Sequence, residues 1–485
     1  MNAPVKCYLR VLSPLHVGCD EVLEPLAFRV DEAAHQLIHL DPFDFIKGLD
    51  PAEKTQFAQL CRKGTIASIL ELYKFMRNRS FPGTSIELCS GFVDHYRKVL
   101  GIPLHDASRI QKEINSFCIA RTATNPTDGR CYIPGSSIKG MLRTAYLNIL
   151  AKHKRVPTPR GRAAADELER RLLEGGNFAT DPFRMVKISD FVAVGEVKTR
   201  IMYAVNRKKV PSRFEARGPY QMLETVVPGG LFTGWISVQQ PEVGSGIKRP
   251  LTFEELMGSA KSFYGRELMR ENGDLASIGA EQVHTSGDSN ALPVRLGRHS
   301  GAECLTIEGH RSIKIMRARG QAANYAGNAT TLWLAANSSN PSSNRFLLPF
   351  GWAALGQVND QLGAAFARQE EEFTAKLAKA SATTRVYPSK QLTTETDKPK
   401  GEVSGGSVQA QDVRASWPNA ILSWSPGNAL LTATWQGKKA TISGKELVPQ
   451  SLHKKLFGKK KSATAHVEVE PIGNAFRLVA VKEAE

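Results

Sequence analysis

A glycine-rich stretch with two cations, residues 132–150 (YIPGSSIKGMLRTAYLNIL), has the residue types of an anion-binding helix start. The pair before Ser136 predicts a tight turn at Gly135, and the Ser136 hydroxyl can cap the helix that follows. The free N–H groups of a first helical turn and the helix dipole favour a negative charge at that end. We therefore predict a helix over 136–153 that holds a phosphate at its start. An ordinary strand, turn and capped helix remains an equal alternative.

Two cations and a second glycine strengthen the phosphate interpretation. Lys139 and Arg143 are four residues apart and share one helix face, and Gly140 allows another backbone to approach closely. A nucleoside-triphosphate loop is excluded, because Met141 and Leu142 stand where that motif needs Lys and Ser or Thr. The candidate anion-binding residues here are Tyr132, Gly135, Ser136, Ser137, Lys139, Gly140 and Arg143.

A second basic glycine segment, RLGRHSG, covers residues 295–301. A basic glycine loop between two β elements suits main-chain contact with a phosphate backbone. A simple hairpin connection is the alternative. The candidate residues in this segment are Arg295, Gly297, Arg298, His299 and Gly301.

His16 lies in SPLHVG, at the end of the first predicted strand, close to Gly18. A histidine can serve as general acid or base in RNA cleavage, because its pKa lies near neutrality. It can equally be a hydrogen-bonded structural residue or stack on a base. The sequence ties no second catalytic group to it, and the acids form no ligand-spaced cluster. We therefore expect no catalytic residue, no metal and no cofactor.

Composition points to a polyanionic partner. The 485 residues include 64 Lys and Arg against 47 Asp and Glu, a formal net charge of +17. An excess of this size favours nucleic acid, although a basic surface can also serve solubility alone. The absence of a secretory core and of a membrane-spanning run predicts a cytoplasmic protein that does not contact membranes. Seven scattered cysteines are expected to be reduced thiols.

Hydrophobic periodicity predicts an α+β fold with antiparallel sheets. The predicted elements are a first strand within 4–18 that ends at Ser13-Pro14, strands at 36–40 and 184–194, a helix opened by Asp41 and Pro42, and helices at 51–79, 136–153 and 252–270.

The C-terminal region has a different composition. A stretch rich in Thr, Ser, Lys and Gly predicts a flexible linker over 371–412. Beyond it, alternating residues around Gln436-Gly437 and around 471–475 predict two hairpins, in a small β-barrel or an added sheet. Lys438 to Lys461 holds eight lysines and one acid. Such a run is either a solvated face or a phosphate-contacting one.

Three segments resemble signatures of the RAMP superfamily of CRISPR effector proteins: LRVLSPLHVG (9–18), IPGSSIKGMLRTA (133–145) and LPVRLGRHSGAECLTI (292–307). The resemblance implies tandem ferredoxin-like, RRM-related RAMP domains with a small C-terminal all-β extension. The implied domains are 1–195 with a helical insertion, 196–370, the linker 371–412 and a basic β module at 413–485.

The order and spacing of further segments, at 181–191, 223–232 and 348–356, are most similar to the type III-A (Csm) subunit that caps the 3′ end of the crRNA. This similarity implies a non-catalytic subunit that holds single-stranded guide RNA by its backbone, ends the filament and supports crRNA maturation in antiviral defence. Implied partners are crRNA and neighbouring RAMP backbone subunits, with target RNA and a trimming nuclease as further candidates. Two other functions stay open: a metal-independent endonuclease using His16, and a free-standing polyanion-binding protein.

Overall fold

The computed structural model forms two compact units, Met1–Pro388 and Ser389–Glu485, called here the N-terminal and C-terminal units. None of the described helices is both long and apolar enough to cross a membrane. The described residues are 3–24, 27–77, 79, 81, 83–175, 177–210, 212, 216, 218–285, 290–316, 321–384, 415–425, 430–436, 438–443, 447–456, 462–472 and 475–483.

The N-terminal unit alternates strands and helices. Its strands are β1 (Val5–Val11), β2 (Gly18–Leu23), β3 (Phe28–Asp31), β4 (Gln36–His39), β5 (Thr84–Leu88), β6 (Ile119–Thr122), β7 (Tyr132–Ile133), β8 (Val186–Ile188), β9 (Phe191–Ala193), β10 (Thr199–Lys208), β11 (Gln221–Val226), β12 (Leu231–Val238), β13 (Leu292–Arg295), β14 (Ile313–Ile315), β15 (Asn324–Ala326), β16 (Thr331–Ala336), β17 (Leu348–Pro349) and β18 (Trp352–Gln357). Its helices are α1 (Pro42–Gly48), α2 (Pro51–Lys63), α3 (Ile66–Met76), α4 (Phe92–Leu100), α5 (Ala107–Ser116), α6 (Gly135–Lys154), α7 (Ala164–Leu173), α8 (Phe253–Ser277) and α9 (Asp360–Thr384).

The first sheet has seven strands in the order β13-β18-β1-β12-β9-β7, with β8 also pairing β12. Strand residues alternate between its two faces. Cys7 and Leu9 of β1 enter the large core formed with α6 and α8. Tyr8 points to the other face, where its ring packs against Phe366 of α9 at 5.8 Å between centroids. Only part of this second face is therefore covered.

The second sheet has nine strands. The path is β2-β6-β11-β10-β5-β4-β3, with β16 on β10 and β17 on β16. Its core packs residues of α3, α4 and α5 against one face. Both sheets contain strands from either side of residue 195, so the chain interleaves the two predicted halves. The predicted α+β class is confirmed.

Local capping explains where the helices begin. Asp41 accepts from the N–H groups of Phe43 and Asp44, with Pro42 at the first helical position, as predicted for α1. The single helix predicted over 51–79 is wrong. Gly64 adopts a positive φ of 58° and ends α2, and a new capping residue then starts α3.

The predicted strand over 184–194 is also divided. Residues Pro182–Met185 form a 3-10 turn, and the two short strands β8 and β9 follow. The polar pair between them, Ser189 and Asp190, makes the break, and both residues contact the start of α6.

The C-terminal unit is a closed barrel of β19 (Ala415–Ser425), β20 (Leu430–Trp435), β21 (Lys438–Ser443), β22 (Ser462–Ile472) and β23 (Ala475–Glu483), with α10 (Gln450–Leu456) between β21 and β22. The two predicted hairpins are the pairs β20–β21 and β22–β23. Sequence reasoning missed β19, because Pro418 interrupts its pattern beside an irregularity in its pairing with β22. Residues 371–384 of the predicted linker belong to α9, and 385–412 lie outside the described residues.

Candidate nucleic-acid interface

The start of α6 (residues 133–143) already holds an anion from its own chain. The Gly135 N–H donates to Oδ1 of Asp190 at 2.8 Å. The helix begins at Gly135, and Ser136 lies exposed inside the first turn, so the predicted Ser136 cap is wrong. Ser137 follows in the same turn, with its N–H on the Pro134 carbonyl. The positive end of the helix dipole therefore faces a carboxylate.

Both cations of the α6 start also have partners within the fold. The Lys139 ammonium donates to the Val186 carbonyl at 2.9 Å, and burial, with Lys187 nearby, lowers its pKa. The Arg143 guanidinium lies 2.9 Å from a carboxylate oxygen of Asp181 and also bonds Glu169. Gly140 faces open space. In this region the groups predicted from sequence to bind a phosphate are therefore mostly bonded to other residues of the same chain.

In the glycine loop (residues 295–301), Arg295 is a structural residue. Its side chain is 2% exposed and pairs with Glu271 at 2.7 Å. The same guanidinium donates to the Phe350 carbonyl and lies over the Trp352 ring. Burial disfavours its charge, but Glu271 outweighs that cost and the pKa of Arg295 is raised. Gly301 lies against this guanidinium.

The rest of the glycine loop is pressed onto the main chain of His16. The N–H of Arg298 donates to the His16 carbonyl at 2.8 Å. Gly297 has a φ of +83°, and a Cβ there would lie 2.4 Å from the same carbonyl oxygen. This close approach fixes the loop and leaves the Arg298 side chain exposed. Within the described residues the Arg298 guanidinium has no hydrogen-bond or ion-pair partner.

Two imidazoles, His299 in the loop and His16 beneath it, are held neutral. His16 is fully buried, and its Nδ1 donates to the Glu224 carbonyl at 2.7 Å. Gly18 covers the other ring nitrogen, Nε2, which has no hydrogen-bond partner in the described part of the chain. His299 stacks on Trp333 at 4.8 Å. Burial, followed by nearby positive charge, lowers the pKa of His16 and lowers that of His299 to about 4.

The part of the first sheet's second face that α9 leaves uncovered carries the aromatic residues Tyr132 and Trp235. Trp235 was not predicted from the sequence. Tyr132 pairs with Val192, which pairs with Thr233. Trp235 is two residues further along β12, on the same face, and lies opposite Lys6 of β1. Trp235 is 48% exposed. Alternation in β12 could have placed Trp235 outward, but which face stays uncovered depends on α9.

The predicted site residues fall into two neighbouring groups. His16, Gly18 and the glycine loop meet at the end of β1. Tyr132 lies in β7, at the other edge of the first sheet from β13, and α6 follows it. The Tyr132 N–H donates to the Ala123 carbonyl, and the Ala123 N–H donates to the carbonyl of Val17, beside His16. Among the residues that the structure describes, no group of three His, Cys, Asp or Glu side chains could hold a metal ion.

The chain is similar to known proteins, through a family model and through solved structures. A family model described as the RAMP superfamily matches residues 8–254. A chain from a cryo-EM structure of a Csm–crRNA–target RNA ternary complex of a type III-A CRISPR-Cas system is 18% identical, with a TM-score of 0.46; the match covers 73% of this chain and all of that one. A crystal structure of T.onnurineus Csm5 is 16% identical, with a TM-score of 0.41, over 71% of this chain and 99% of that chain. No curated protein sequence matches this chain.

Proposed function

The chain belongs to the RAMP superfamily, and from that membership we propose that it is a crRNA-binding subunit of a type III-A CRISPR effector complex. Its partners are the guide RNA and neighbouring RAMP backbone subunits, with target RNA and a trimming nuclease as further partners. We further propose that the two interleaved sheets derive from tandem ferredoxin-like domains. The subunit lies at the 3′ end of the guide, where it ends the filament.

One observation carries the RNA-binding part of this proposal: the glycine loop presents an unpaired arginine from a rigidly held backbone. The N–H of Arg298 is fixed on His16, while its guanidinium faces solvent. A planar guanidinium binds phosphate through paired donors and reads no base sequence. Tyr132 and Trp235 provide rings on which bases can stack, as aromatic side chains do on RRM sheets. This combination suits single-stranded RNA held mainly by its backbone.

The burial of His16 supports a non-catalytic subunit. A general base must come within hydrogen-bond reach of the ribose hydroxyl. The His16 ring is enclosed, with Nδ1 engaged and Nε2 so close to Gly18 that an added Cβ there would stand 3.3 Å from it. Its pKa is lowered chiefly by burial. These features favour a structural role for His16, which orders the chain beneath the glycine loop.

Binding of labelled single-stranded RNA in EDTA, at several salt concentrations, tests the proposal. We expect Arg298→Ala to weaken binding and to reduce the slope of log affinity against log salt by about 0.7, the value for one phosphate contact on a single strand. Arg109→Ala is the matched control, since Arg109 is an exposed arginine on α5, a helix of the second sheet's core.

Equal losses in both variants would mean that RNA binds through overall charge, which contradicts a specific contact at the glycine loop. Discrete cleavage of the RNA in EDTA would contradict the non-catalytic role and favour the endonuclease. A chain that binds RNA but never associates with other RAMP subunits would contradict the proposed place in a filament.

A further inference from the structure

The barrel of the C-terminal unit has the connectivity of a nucleic-acid-binding fold. The strand order β19-β20-β21-β23-β22 closes because β22 also pairs with β19. The third and fifth strands, β21 and β23, run parallel, and α10 lies between the third and fourth. A five-stranded Greek-key barrel with this strand order and helix position is an OB-fold, which binds oligonucleotides on the face of its second and third strands.

The barrel has its own core, which determines the side chains that point outward. Ala433 of β20 and Ala440 of β21 are paired and fully buried. Leu452 and Leu456 of α10 enter the same core. By alternation, Thr432 and Thr434 of β20 and Thr441 of β21 lie on the outer face. This outer face is polar and free of acidic residues at the described positions of β20 and β21.

Aromatic rings lie at one end of the barrel core, because Trp435 follows the buried Ala433 by two residues and so shares its inward side. Trp417 is buried there, and Trp435 stacks on it at 5.8 Å with an interplanar angle of 18°. Phe476 packs edge-on against Trp417 at 5.0 Å. Trp435 and Phe476 remain partly exposed at the barrel rim. Their outer ring surfaces are therefore available for stacking with a flat ligand.

Positive charge accompanies these rings. Lys438 is exposed, pairs across the hairpin with Trp435, and holds its ammonium 5.6 Å from the centroid of Phe476. The segment from Lys438 to Lys461 contains eight lysines and one acid. Aromatic platforms beside a cationic surface are the combination by which OB-folds bind single strands without sequence preference.

We propose that the C-terminal unit is a second, independent binding site for single-stranded nucleic acid. The strand lies over β20 and β21 and crosses the barrel rim, where a base stacks on Trp435 or Phe476 and phosphates lie beside Lys438. This site does not depend on the function proposed for the N-terminal unit, and the matched family region ends at residue 254.

Mapped photo-cross-linking of the full chain tests this site. The probes are oligouridine containing 4-thiouridine and oligothymidine containing 4-thiothymidine, each about 12 nucleotides long, a length within the range that one OB-fold binds. We expect cross-links from both probes to residues 430–443 and 475–478. Lys438→Glu and Trp435→Leu should each reduce these cross-links on the order of tenfold, and Trp435→Phe should restore them.

The control variants separate this site from the first. Lys482→Glu makes the same charge change on the wall formed by β22 and β23, where Lys482 pairs with Glu468, and should retain the cross-links. Arg298→Ala should retain them as well while losing those of the glycine loop. Absence of cross-links in the C-terminal unit with both probes, or equal loss in Lys482→Glu, overturns the proposal. Cross-links with the uridine probe alone support it and identify RNA as the strand.

Discussion

The α6 start and the glycine loop both contain glycine, serine and cationic residues. They differ in how these cationic groups are paired in the folded chain. At the α6 start, acidic side chains from distant parts of the sequence reach the cationic groups: Asp190 at the helix end, and Asp181 and Glu169 on Arg143. At the glycine loop, Arg295 is the cation paired in this way among the residues that the structure describes, and Arg298 stays exposed. A basic glycine motif therefore offers a ligand site only where the fold brings no acid to it.

The two regions should differ most in their tolerance of a methyl group. Gly297→Ala places a Cβ 2.4 Å from the His16 carbonyl oxygen on a backbone with φ of +83°. We expect it to lower the free energy of unfolding by about 3 kcal/mol, from left-handed strain and overlap together. Gly140→Ala on α6 meets open space and should raise stability by up to about 1 kcal/mol, through helix propensity. Urea unfolding of both variants measures the difference.

A Gly297→Ala protein as stable as the wild type would show that the loop can move away from His16. Arg298 would then not be held on a fixed backbone, which contradicts the proposed RNA contact at the glycine loop. Gly140→Ala controls for the general effect of adding a methyl group to a glycine of either motif.

Replacing each of the two arginines by alanine tests whether one serves stability and the other RNA binding. Arg143→Ala leaves the carboxylates of Glu169 and Asp181 without their shared partner and should cost about 2 kcal/mol of stability. Arg298→Ala removes an exposed side chain and should change stability by less than about 0.5 kcal/mol. RNA affinity should show the reverse order, with the larger loss in Arg298→Ala. Parallel unfolding and binding curves test this; equal RNA losses would mean that Arg143 also reaches phosphate.

Sequence reasoning predicted the fold class and many element positions because these follow from local patterns. The Asp41 cap, the glycine motifs and the two C-terminal hairpins are all encoded within short windows. The break between α2 and α3 was missed because Gly64 reads as a tolerated helical residue until its positive φ is known. The strand β19 was missed because a proline lies inside it.

The site was less predictable because its outcome depends on pairing across long sequence separations. Nothing near Arg295 indicates that Glu271 will meet it inside the core, and nothing near Gly135 indicates Asp190. His16 and the glycine loop are 279 or more residues apart in the sequence, yet they share a hydrogen bond. Charge alone therefore identified the correct segments but could not say which cations face solvent.

The smallest expected difference between the glycine loop and the α6 start is their contribution to the pH dependence of stability. The pKa of His299 falls from 6.5 to about 4 on folding, and that of His16 is also lowered. The unfolded chain then takes up protons first, so the free energy of unfolding should fall as the pH drops from about 6.5 towards 4, by about 1 kcal/mol at pH 5.5 for His299.

His299→Gln should flatten this dependence. Arg298→Ala should flatten it partly, since the positive charge of Arg298 contributes to both lowered pKa values. Arg143→Ala should leave it unchanged, because residues 133–143 contain no histidine. Unfolding curves between pH 5 and 7.5 measure all three, and an unaltered slope in His299→Gln would show that the ring takes up protons as readily in the folded loop as in the unfolded chain.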